Sequence, residues 1–367
     1  MRGRGKTRLA SDSLPPWGMA VTALLLALGF TRPRYAVPSY GARRQGVDEP
    51  SGEGGRGRSA ETPSQIPPRG WKDVLLRVYQ KIGDDRVMLL AAGITFYSLL
   101  AIFPAIAALV AIYGFFADPA SIATHLDSVS DILPGGAIDV IRDQMNRVAA
   151  QGKGTLGATF IVGLVVSLWS ANAAVKSMFD ALNLVYGERE KRGFVWLNLV
   201  SLAFTCAGIL FVLLASGATI VLPVLLGYLG SAGEIALLIE VLRWPVLLAI
   251  IGIALALLYR YGPSRERARW RWISWGSAFA AAGWLAASLL FAWYTANFGT
   301  YNKTYGTLGA VIGFMVWIWI SAVVILVGAE LDAEMEHQTA RDTTTGAPKR
   351  LGSRGARVAD TVGAPQD

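Results

Sequence analysis

Tyr301 to Glu334 reads YNKTYGTLGAVIGFMVWIWISAVVILVGAELDAE, and this stretch decides the fold. From Thr304 to Ala329 it carries no charge, which as a helix is long enough to cross a hydrocarbon layer of about 30 Å. Aromatic and hydroxyl residues precede it, and Glu330, Asp332 and Glu334 close it. Gly309 and Gly313 form a GxxxG near its start, where a neighbouring helix could approach closely. A buried helix of a soluble protein would need only one such run. Here the same kind of run recurs along the chain.

Composition agrees with that reading. Of 367 residues 53% are apolar and 16% charged, too greasy for an ordinary soluble domain. Backbone groups in lipid need internal hydrogen-bond partners, so the expected class is all-α and polytopic. The single cysteine, Cys206, excludes an intramolecular disulfide, and His125 and His337 share no metal-ligand spacing. The net charge of +8 is explained by Lys and Arg retained on the cytoplasmic side, beside anionic lipid headgroups, rather than by nucleic acid.

Read outward from the deciding stretch, the uncharged runs predict six spans, at about 87–113, 155–176, 194–218, 236–260, 272–295 and 306–330. The uncharged run 193–233 is too long for one span, and its second part is expected to be an outer loop or partly inserted turn. The fourth helix must start early enough to include Glu240 and Arg243. Loop charges support this count. Segments before spans 1, 3 and 5 and after span 6 carry 15, 4 (with Lys176), 5 and 5 Lys/Arg, against 3, 0 and 1 after spans 1, 3 and 5. That alternation places both termini in the cytoplasm. The outer loop 118–153 carries an amphipathic pattern from Ile138 to Val148, expected to lie on the outer leaflet or cap the bundle.

The flanks read differently. Residues 1–70 form a basic extension expected to be disordered, with a short apolar run at 17–30 whose insertion the sequence leaves open. Residues 71–81 are amphipathic, with Val74, Leu75, Val78 and Tyr79 on one face, and suit a helix on the inner membrane surface. Residues 338–367 are expected to be a disordered cytoplasmic tail.

Candidate polar groups are few. Asn172, Lys176, Asp180 and Asn183 recur at helical spacing and make a stripe, either a polar groove at the inner mouth or a solvated face. Glu240 and Arg243 form an ionisable pair near the outer start of span 4. Tyr301 and Asn302 suit an outer vestibule or interface anchors. Lys176 and Glu330 fall at the same depth by helical rise and are expected to face each other. No HExxH, GxSxG or P-loop occurs, and no catalytic, cofactor or metal site is assigned.

Four linked motifs carry a family resemblance: AAGITFYSLLAIFPAIAALVAIYG (Ala91–Gly114), LWSANAAVKSMFDALNLVYGE (Leu168–Glu188), YNKTYGTLGAVIGF (Tyr301–Phe314) and VGAELDAEME (Val327–Glu336). In order and spacing, over about 71–337, the chain resembles the YihY/BrkB family of bacterial inner-membrane proteins. The resemblance implies a six-helix membrane domain of unassigned biochemistry, whose members have been labelled both ribonuclease BN and serum-resistance virulence factor. Transport, or lipid and envelope handling, is the leading functional expectation. A membrane scaffold recruiting partners through basic cytoplasmic segments comes second. A tRNA-processing ribonuclease comes last, since Glu330, Asp332 and Glu334 are spaced to spread around a helix rather than converge. The expected partner is the bilayer itself; a homo-oligomer is compatible with the sequence.

Overall fold

The computed structural model describes residues 55–116, 153–228, 234–298 and 307–366, with side chains over 55–102, 161–211, 245–294 and 311–366. Residues 1–54, which include the 17–30 run, and the amphipathic pattern of 138–148 lie outside the described residues. Seven helices of eight residues or more are described: α1 (Pro68–Asp84), α2 (Val87–Phe116), α3 (Lys153–Val185), α4 (Phe194–Tyr228), α5 (Glu234–Tyr261), α6 (Trp270–Phe298) and α7 (Thr307–Gln338). A single turn, α8 (Arg357–Asp360), follows in the tail. The only β pairing among the described residues is one antiparallel bridge, Ala268 with Thr344.

The uncharged runs thus become helices of 28 to 35 residues. Over the described side chains, four segments are long and apolar enough to cross a membrane: Ile161–Val185, Phe194–Phe211, Trp270–Tyr294 and Val311–Gln338. A fifth arises if α1 and the start of α2, bent by 58° at their junction, count as one; Pro245–Tyr261 is a shorter apolar helix. α4 differs from expectation. It continues to Tyr228 through Gly217 and Pro223, with no charge along the run to end it at residue 218. α5 begins before Glu240 and Arg243, as the shortness of its uncharged run required.

α7 is the central element, touching α1, α2, α3, α6 and α8. Its contact with α6 is close because small residues meet there. Gly276 of α6 lies against Gly328 of α7, and a Cβ added at Gly328 would stand 2.6 Å from Ala280 Cβ and 2.7 Å from the Tyr259 hydroxyl. The predicted GxxxG is not this contact. A Cβ added at Gly313 would meet only Phe291, at 4.0 Å, and the surroundings of Gly309 lie outside the described side chains. Nearer the other end, Trp284 Nε1 donates to Ser321 Oγ (3.0 Å) and Trp317 Nε1 to Ser288 Oγ (3.2 Å). Each helix therefore lends the other one indole donor and one hydroxyl acceptor, which gives both half-buried N–H groups a partner.

α1 starts at the Pro67–Pro68 pair, where a proline at the first helical position sacrifices no hydrogen bond. It ends at Asp84, and Arg86 then adopts φ +52°, a left-handed turn that aims α2 away. The predicted apolar face of α1 is split. Val74 and Val78 are buried with Asp73 and Arg77, whereas Leu75 and Tyr79 are exposed, Tyr79 by 78%. Ion pairs make this inward polar face tolerable, and they leave apolar side chains pointing outward.

The tail corrects the sequence reading. Residues 339–366, expected to be disordered, fold over the charged end of the bundle, and so do residues 55–70. Thr339 Oγ1 donates to Ala60 O (2.6 Å), Arg357 N to Glu188 Oε1 (2.7 Å), Gly363 N to His337 O (2.7 Å) and Gln366 N to Asp73 Oδ1 (3.0 Å). Buried Arg354 donates to the carbonyls of Ala340, Arg341 and Ala359. A low apolar content does not preclude order when arginine donors satisfy the backbone in this way.

Two carboxylates of this layer make it acid-sensitive. Burial alone would raise Asp342, but hydrogen bonds from Lys349 N and from the N and Oγ1 of Thr344 hold its carboxyl below the usual range. At Glu190 burial is likewise outweighed, here by the Arg192 guanidinium at 2.7 Å. Both folded values lie below the unfolded ones. Their stabilisation is therefore complete above about pH 5 and lost as pH falls through the folded values. Hydrogen exchange of 340–363, corrected for intrinsic rates, is expected to accelerate below about pH 4 before the bundle helices do.

Candidate functional site

The end of the bundle where α7 finishes gathers most of the buried charge. Carboxylates occupy every second position there: Glu330, Asp332, Glu334 and Glu336, all buried. At about 100° per residue, neighbours two apart point to opposite sides and those four apart to the same side. The structure follows this. Glu330 and Glu334 face α1 and its elbow with α2; Asp332 and Glu336 face α6 and the α5–α6 loop.

Each carboxylate meets a different chemistry. Glu334 accepts from Arg77 Nε, with both side chains less than a tenth exposed, and His337 Nδ1 lies 3.5 Å away. Arg77 also donates to Gln338 Oε1 (2.7 Å) and to the Glu334 carbonyl (3.2 Å). Glu336 accepts from Arg265 Nη2 and from Thr343 Oγ1 (2.7 Å). Arg265 also lies over the Tyr186 ring, 4.4 Å from its centroid. Asp332 Oδ1 accepts from Gly276 N at 2.7 Å. Glu330 is the exception: it is fully buried, and neither oxygen has a hydrogen-bond partner. The group it faces is the carboxyl of Asp85, with Lys81 next to both.

The expected Lys176–Glu330 pair is not formed. Lys176 Nζ donates to Asn198 Oδ1 on α4, while Glu330 turns towards the α1–α2 elbow. Helical rise placed both at the right depth; the direction each faces around its own axis separates them. The α3 stripe divides in the same way. Asn172 is buried with Oδ1 unpartnered, Asp180 is exposed, and Asn183 is buried as a staple between loops. Asn183 Nδ2 donates to Glu190 Oε2 (3.1 Å), and its Oδ1 accepts from Ser264 N (2.6 Å). Glu240 and Arg243 sit in α5, but their side chains lie outside the described residues, as do Tyr301 and Asn302 altogether.

Sequence reasoning missed Lys81, Asp85, Arg77 and Glu336. One signal was available: Asp73 and Arg77 share the helical face of Val74 and Val78, and a charge within an inward apolar face announces a buried partner.

Long apolar helices packed around α7 and closed at one end by buried ion pairs define a multi-pass membrane protein. The family model described as virulence factor BrkB matches residues 78–351, and the chain belongs to that family. Among curated relatives, it is 28% identical to a ribonuclease-like protein, YfkH, of Bacillus subtilis, over 66% of this chain and 88% of the relative. It is also 28% identical to a UPF0761 membrane protein of Methylibium petroleiphilum, over 72% of this chain and 62% of the relative. A third, a UPF0761 membrane protein of Ralstonia nicotianae, is 29% identical over 73% of this chain and 60% of the relative. The chain thus spans under two thirds of the length of the last two. No solved structure matches it.

Proposed function

We propose that the protein is a six-span inner-membrane protein, with both termini and the charged end in the cytoplasm, that moves or handles a polar or lipid substrate. The observation that carries this reading is a group of polar side chains buried within the otherwise apolar bundle. Asn172, Ser170, Thr95, Ser201 and Thr205 are buried, while Ile161, Val162, Val165 and Trp169 of α3 point outward. Polar side chains turned inward and apolar ones outward suit a bundle whose interior meets something polar. The scaffold alternative is less favoured. It needs basic segments free to recruit partners, yet Arg77, Arg192, Arg265 and Arg354 are engaged within the protein. A hydrolytic role draws little support from α7, whose carboxylates meet separate neighbours. Among the described residues no three His, Cys, Asp or Glu side chains are grouped to hold a metal.

In a Cys206→Ala background, single cysteines at Thr95, Asn172 and Ser201 should react with a small water-soluble maleimide if water enters the interior. Uniform silence at all three would favour a dry scaffold. An exposed tail position, Ser353→Cys, should label with an impermeant maleimide only after the inner membrane is opened. Labelling in intact cells with a permeable outer membrane would overturn the orientation.

A further inference from the structure

We propose that Asp85 and Glu330 bind one proton between them, with Lys81 as counter-cation, making the elbow between α1 and α2 a proton-binding site. Both Glu330 oxygens and Asp85 Oδ2 are buried without a hydrogen-bond partner. The two carboxyls nevertheless lie within reach of each other. Ionised carboxylates are acceptors only, so neither can satisfy the other. A single proton converts one into an O–H donor and creates a short carboxyl–carboxylate hydrogen bond.

Local charge gives the same count. Lys81 Nζ stands 3.5 Å from Asp85 Oδ2, one helical turn away. Two carboxylates and one ammonium leave a net charge of −1, which one proton cancels. The other charges facing the pair are Asp84, exposed beside the elbow, and Glu334 of α7, which Arg77 and His337 already hold. A metal cation fits less well. Two carboxylates supply few of the oxygens a hard cation takes, and the Lys81 ammonium repels it. The proton has a way in, because Lys81 and Asp85 retain 31% and 13% side-chain exposure while Glu330 has none.

The site also has leverage. Asp85 ends α1, Arg86 holds the left-handed turn, and Glu330 belongs to the central helix. Removing the proton leaves like charges facing each other across the α1–α7 contact, which loosens α1 from α7 as pH rises.

Infrared difference spectroscopy of the purified full-length protein, titrated from acidic to alkaline pH, tests this. The wild type should show the C=O stretch of a buried protonated carboxyl that persists at neutral pH and disappears at alkaline pH. Asp85→Asn and Glu330→Gln should each abolish that band. Both amides resemble the protonated group in shape and neutrality, so both variants should fold, and either alone suffices. A band that survives both substitutions, or no band in the neutral wild type, overturns the proposal. So does a carboxyl signal that responds to sodium at fixed pH, since that assigns the site to a metal cation.

Discussion

Arg77→Ala should be among the most damaging single substitutions in the protein, costing about 3–5 kcal/mol of folding stability. The side chain is nearly buried and serves Glu334, the Gln338 amide and two backbone carbonyls, those of Glu334 and Ala364. Its loss strands Glu334 in the interior with only His337 at 3.5 Å. The larger part of the cost is that uncompensated charge, not the attraction removed. Glu334→Gln added to Arg77→Ala should therefore recover much of the loss. Thermal unfolding in one detergent, compared across the two single variants and the double, measures it. Strictly additive losses would show that the pair is not coupled.

Gly328→Leu should separate α6 from α7 and leave little folded protein. Even a methyl group here would sit 2.6 Å from Ala280 Cβ and 2.7 Å from the Tyr259 hydroxyl. The neighbour is helix backbone as well as side chain, since the Gly276 carbonyl is 2.8 Å away. Gly328→Ala should already cost about 1–3 kcal/mol, the usual range for an overpacked contact. The added side chain also displaces the Tyr259 hydroxyl from its bond to the Ile325 carbonyl, now 2.6 Å. Gly283→Ala, where a Cβ meets Val324 at 3.2 Å, should be milder, and Gly313→Ala close to neutral. The order Gly328, Gly283, Gly313 in folded yield by size-exclusion chromatography checks the series. A Gly328→Leu variant with normal yield would mean the helices do not meet here.

Much of the bundle was legible because its signal is one-dimensional. A long run without charge forms a helix and ends where charge resumes, so the helices at 87, 194 and 270 began within a few residues of the expected positions. What failed needed a direction or a distant partner. Lys176 and Glu330 share a depth but face different neighbours, and depth was all that helical rise could supply. The tail failed for another reason. Its order comes from Arg354 reaching four carbonyls and from turns at Gly346, Gly352 and Gly355, all at positive φ. Such a segment has the same composition as a disordered one. Asp85 could not be singled out either, because an acidic residue at a helix end is ordinarily solvated.

The folded tail has a consequence for how the molecule is made. Its contacts join the two ends of the described chain: Gly363 and Ala364 meet Arg58 and Arg77, and Gln366 meets Asp73. A ribosome delivers the later partners last, after every bundle helix has been synthesised. Asp73 and Arg77 must therefore wait, incompletely matched, until residues 364–366 are made. Closure of this layer is then a late step in folding, and a nascent chain stalled before residue 363 should remain open at that end.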